Sequence, residues 1–124
     1  MGLFGKLIDD AKSRVEKETQ PVLDSILNEE DIQYVVWEVQ RALKKGLSII
    51  ARAKVIQAFQ YRIRKEDPYR LLNIFRQLYA DRSDNTALVI SQWIGKELYD
   101  KGYNEVEQKE IGEGKHMYVP NDRY

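Results

Sequence analysis

Three groups of residues in this 124-residue chain could do chemistry, and two of them fail on spacing. His116 is the sole histidine, with no spaced set of carboxylates around it, so neither a metal site nor an imidazole-assisted nucleophile is implied. There is no cysteine, which rules out disulfides, thiolate zinc sites and cysteine nucleophiles within these residues. Gly112, Gly114 and Lys115 resemble a phosphate loop in composition, but they lack its full glycine-to-lysine spacing and the helix that must follow. The adjacent acids Asp9–Asp10 and Glu29–Glu30 do not converge on one substrate atom if helical, because neighbouring positions face different sides. The expectation is a non-enzyme with no metal and no cofactor.

The third group is the stretch Arg41–Arg82. It holds eleven basic residues against Glu66, Asp67 and Asp81, a local excess of eight positive charges in a chain whose net charge is zero. Lys44 and Lys45 read as charges closing a helix, and Arg82 belongs to a turn. The candidates for one external anion-binding surface are therefore Lys54, Arg62, Lys65, Arg70 and Arg76, interleaved with Tyr61, Tyr69 and Tyr79. Cations on helix faces attract phosphates, and aromatic rings or guanidinium planes stack on unpaired bases. A competing reading is internal neutralisation. Residues 21–38 carry five acids and no base, and residues 83–124 carry eight acids against five bases, which together cancel the central excess. Where the acidic segment lies decides between a site and a set of short-range, screened ion pairs.

The elements that must position these residues follow from apolar periodicity. Residues 3–19 predict an amphipathic helix with Leu3, Phe4, Leu7, Ile8, Ala11 and Val15 on one stripe. Pro21 ends it, and Val22, Leu23, Ile26 and Leu27 form a short helical patch. Asn28 is the expected cap of a helix over 29–45, whose inner face is Ile32, Val35, Val36, Val39, Ala42 and Leu43, with Gly46 at its end. A helix over 48–66 is expected to turn Ile49, Ile50, Ala53, Ile56 and Ile63 inward, with Phe59 at the edge. Asp67 and Pro68 start the next, over 69–80, with Leu71, Ile74, Phe75 and Leu78 inside. In the helix over 86–101, Ala87, Ile90, Ile94 and Leu98 make one stripe, and Val89 and Trp93 make a second apolar patch. Two short extended runs about Gly112–Lys115 predict a β-hairpin, with Pro120 ending its second strand.

The fold expectation is mainly α: a compact bundle of about five helices with a small C-terminal β-hairpin, one domain over 1–120 and a loose tail over 121–124. The order of helices and hairpin over 48–119 is similar to a winged-helix domain. Two features oppose a DNA-reading use of that arrangement. The Asp81–Asn85 connection is longer than a tight helix-turn-helix turn, and the wing would carry Glu105, Glu107, Glu110 and Glu113.

No apolar run is long enough to span a bilayer, and Lys6 stands where a myristoylation pattern needs Ser or Thr. The polar face of the first helix is near neutral, so a membrane surface is not the expected partner, and a cytoplasmic location is the default. The leading expectation is a non-catalytic binding protein for nucleic acid or another anionic partner, without strong sequence reading. The alternative is a protein-interaction or self-assembly module using Leu3, Phe4, Leu7, Val89 and Trp93.

Overall fold

The computed structural model describes residues 17, 19–81 and 83–122. Leu3, Phe4, Leu7 and most of the first predicted helix lie outside the described residues. Among these are five helices and one antiparallel hairpin: α1 (19–28), α2 (Ile32–Lys45), α3 (Ile49–Arg64), α4 (Pro68–Ala80), α5 (Asn85–Asp100), β1 (Val106–Gly112) and β2 (Lys115–Pro120). This is the mainly α chain with a C-terminal hairpin that the periodicity predicts. The contacts divide it into two compact units, Met1–Phe59 and Gln60–Tyr124, with the division inside α3.

In the first unit α1 buries Val22 and Ile26, and α2 buries Ile32, Val35, Val36, Val39 and Ala42. The stripe expected on α2 is therefore correct but for Leu43, which is part-exposed. The start of α2 is later than predicted. Residue 28 still belongs to α1, and Asp31 is the cap, its Oδ1 accepting from the Gln33 N–H at 3.0 Å. A carboxylate at this position satisfies an otherwise orphaned amide, and here Asp31 supplies it in place of Asn28. Gly46 ends α2 at φ 87°, a conformation without penalty only for glycine.

The face expected on α3 is right at Ile63 and wrong at Ile49, Ile50 and Ala53, while Ile56 is part-buried. Ile49 is 89% and Ile50 61% exposed, whereas Ala51, Val55, Phe59 and Ile63 are buried. Both sets recur at helical spacing, and the stripe with an unbroken four-residue step and the aromatic ring is the one buried. Ser48 Oγ accepts from the Ala51 N–H at 3.2 Å and so opens the helix.

In the second unit Asp67 caps α4 with Pro68 in its first turn, and Asp84 caps α5 by accepting from Thr86 and Ala87. Helix α4 packs on α5, and the hairpin lies on α5. The core comprises Leu71, Leu72, Ile74, Phe75 and Leu78 of α4, Ala87, Ile90, Ile94 and Leu98 of α5, and Val106 and Val119 of the hairpin. The turn is Glu113–Gly114, and the ladder pairs Val106 with Pro120 and Gln108 with Tyr118, with an irregularity between Glu110 and Gly112. Pro120 thus belongs to β2. Asn121, expected in a loose tail, is tied down: its N–H donates to Glu105 O at 2.9 Å and its side chain to Asn104 O at 3.0 Å.

Candidate functional site

The five basic residues singled out by sequence are divided between the two units. Lys54 is exposed on α3 in the first unit, and the other four lie in the second. Arg62 has a side chain only 15% exposed and pairs with Glu66 at 3.4 Å. Lys65 lies just beyond α3 with its Nζ 4.0 Å from the centre of the Tyr61 ring, hydrogen-bonded to that residue's hydroxyl. Arg70 is exposed and Arg76 half-buried on α4. Six residues apart, these two are turned roughly 120° from one another about the helix axis.

Most cations with a resolved partner are held locally: Glu38–Arg41, Arg62–Glu66, Lys96–Asp100 and Glu97–Lys101 are one helical turn apart. The Asp100 hydrogen bond, and secondarily its charge, raises the Lys96 ammonium above the ordinary lysine range. Several acids of 21–38 have backbone or polar duties instead. Asp24 accepts from Gln20, Asp31 caps α2, and Glu29 accepts from the Asp31 N–H. Asp24, Glu29, Asp31 and Glu38 thus each have a partner within four residues.

A different group comes together on α2. Tyr34, Trp37, Arg41 and Lys44 recur at three- and four-residue steps and share one side of the helix over about 15 Å. The Tyr34 and Trp37 rings are 5.8 Å apart, and the Arg41 guanidinium carbon lies 5.5 Å from the centre of the Trp37 ring. Trp37 is 50% exposed, although a tryptophan of this size is usually well buried. Trp37, Gln40, Arg41, Lys44 and Lys45 line a shallow cleft of about 340 Å³. Arg41 and Lys45 also line an adjoining cleft of about 360 Å³, whose wall includes Lys17, Pro21 and Glu38.

Among the described residues, four cations therefore border two neighbouring concavities in the first unit, against the single acid Glu38. The negative end of the α2 dipole opposes an anion here, but it amounts to about half a charge. Lys44 and Lys45 have the helix-end position expected for them; the cation–π contact of Arg41 with Trp37 beside them was missed. Its signal was present in the Trp37, Arg41 and Lys44 spacing.

Val89 and Trp93, the expected apolar interface patch, are both part-buried in the second unit. His116 is exposed on β2 opposite Glu110, and Gly112–Lys115 lies at the end of the hairpin, without a following helix. Among the described residues no group of three acids or histidines converges to hold a metal ion, and no helix is long and apolar enough to cross a membrane. No family model, curated protein or solved structure matches this chain.

Proposed function

We propose that this chain is a non-catalytic binding protein for single-stranded nucleic acid, held without sequence reading on the Trp37–Arg41–Lys44–Lys45 face of α2. The observation that carries this is the half-exposed Trp37 ring with the Arg41 guanidinium over it, beside two further cations on one cleft. An exposed indole and a guanidinium plane offer stacking surfaces to any base, and the lysines neutralise the backbone. A paired duplex hides its base faces, which leaves the ring without a role and favours the unpaired strand.

A titration with an oligothymidylate tests this, followed by Trp37 emission in a Trp93→Phe background, since the chain has two tryptophans. Three or four phosphate contacts give a log–log salt slope of about −2 to −3 for a single strand. Trp37→Ala is expected to weaken binding by about tenfold or more. Absence of binding at low salt, or binding indifferent to Lys44→Glu with Lys45→Glu, overturns the reading.

A second reading, contact with another protein, is favoured by Ile49 and Ile50. Large aliphatic side chains exposed together at the start of α3 are an apolar patch of the kind that partners cover.

A further inference from the structure

We propose that the free edge of β1 pairs with β1 of a second copy of this chain, antiparallel and centred on Gln108. The two edges of the hairpin differ. In an antiparallel ladder, successive residues aim their backbone groups alternately at the partner strand and away from it. Asn121 N–H donates to Glu105 O across this ladder, so the odd-numbered residues of β1 face β2. Val106, Gln108 and Glu110 face outward.

On β2 the outward edge is closed at Tyr118 and Pro120. The Gln92 side chain takes both the N–H and the C=O of Tyr118, and Pro120 has no N–H to offer. On β1 the Val106 N–H is used by Tyr103 O at 3.3 Å, while the backbone groups of Gln108 and Glu110 have no partner among the described residues. An edge with open backbone groups is a template for another strand.

Charge chooses the occupant and the register. Glu107 and Lys109 are exposed, share one side of β1, and form no ion pair among the described residues. A two-fold axis through Gln108 places Glu107 of each copy opposite Lys109 of the other, giving two complementary pairs. An axis at Lys109 sets lysine against lysine, and one at Glu110 sets glutamate against glutamate; like charges directly opposite are unfavourable. The Gln108-centred register also matches the backbone parity, with Gln108 against Gln108 as the hydrogen-bonded pair and Val106 against Glu110 beside it. So short an edge buries little area, and the dimer is a weak, concentration-dependent one.

Sedimentation equilibrium of the full chain from micromolar to millimolar concentration tests this. A dimer is expected whose dissociation constant rises about tenfold in Lys109→Glu and returns toward the original value in Glu107→Lys with Lys109→Glu. A strict monomer at millimolar concentration, or a dimer that Lys109→Glu leaves unchanged, overturns the proposal. A second measurement reads the register. The chain has no cysteine, and facing non-hydrogen-bonded residues have Cα atoms about 4.5 Å apart, within disulfide reach. Mixing Glu107→Cys chains with Lys109→Cys chains is expected to give a disulfide-linked pair under mild oxidation, and neither chain alone is. Equal cross-linking in the mixture and in the separate chains overturns the register.

Discussion

The carboxamide of Gln92 on α5 reads the backbone of Tyr118 on β2 as a neighbouring strand would. Its Oε1 accepts from the Tyr118 N–H at 2.7 Å, and its Nε2 donates to the Tyr118 C=O at 2.9 Å. The remaining amide hydrogen reaches Ser91 Oγ at 3.3 Å, and the Ser91 hydroxyl in turn donates to Leu88 O at 2.6 Å. One helical side chain thereby satisfies two strand groups that the hairpin itself leaves unpaired. The same contact holds the Tyr118 ring 5.5 Å from Tyr99 and fixes how the hairpin lies on α5.

Gln92→Ala removes both partners at once from a part-buried site, and a stability loss of about 2–3 kcal/mol is expected in urea unfolding. The Tyr118 amide is expected to exchange hydrogen faster in the same variant. Gln92→Glu separates the two bonds. A carboxylate still accepts from the Tyr118 N–H but sets an acceptor against the Tyr118 carbonyl. A loss of about 1–2 kcal/mol at neutral pH is expected, shrinking as the pH falls and the carboxyl regains a proton to donate. Equal stability of Gln92→Glu and the parent at neutral pH is inconsistent with this geometry.

Gly95, one turn from Gln92, lies where α5 meets both neighbours. A Cβ added there stands 2.8 Å from Phe75 Cε2 and 2.8 Å from Tyr118 Cβ. Neither can yield: Phe75 is fully buried, and Tyr118 Cβ is bound to the backbone that Gln92 holds. Helix propensity favours alanine over glycine by about 1 kcal/mol, yet overpacking of this kind costs about 1–3 kcal/mol and commonly more when backbone must shift. Gly95→Ala is expected to lower the thermal midpoint, despite the better helix former, and Gly95→Ser to lower it further. A rise in the midpoint on either change contradicts the close packing.

What the sequence made legible was local. Asp67 before Pro68, and the stripe Ala87, Ile90, Ile94 and Leu98, each place an element from residues within a few turns of one another. The Gln92–Tyr118 contact spans 26 residues, and no pattern around Gln92 distinguishes it from any other exposed-face glutamine. The α3 error has another cause. That helix has two apolar stripes, and only the rest of the fold chooses between them. On α2 the face bearing Trp37 and Arg41 was readable in the spacing, but Lys44 and Lys45 already had a sufficient explanation as charges at a helix end.

The two stripes of α3 separate in a mutational comparison. Phe59→Ala deletes a ring with no solvent exposure and is expected to cost about 3–5 kcal/mol. Ile49→Ser and Ile50→Ser replace exposed side chains and are expected to fall within about 0.5 kcal/mol of the parent. Chemical denaturation of the three variants reads this directly. If the isoleucine changes prove as costly as the phenylalanine change, the buried face of α3 is assigned wrongly.

Arg41 and Arg62 provide the sharpest separation of binding from folding. Both have a carboxylate within one helical turn, but Arg62 is 15% exposed at 3.4 Å from Glu66, while Arg41 is 54% exposed at a slack 3.9 Å from Glu38. The tighter and drier pair contributes to the fold, and the looser pair leaves its guanidinium available above Trp37. Arg62→Met is therefore expected to cost up to about 1 kcal/mol of stability and to leave oligothymidylate affinity and its salt slope unchanged. Arg41→Met is expected to do the reverse, with stability within about 0.5 kcal/mol of the parent and the salt slope reduced by about 0.7, one phosphate's share for a single strand. Arg41→Lys keeps the charge and loses the guanidinium plane that a base can stack on, so it should retain the parent slope while binding more weakly. Affinity that tracks Arg62 rather than Arg41 moves the site off α2 and back toward the basic residues that the sequence singled out first.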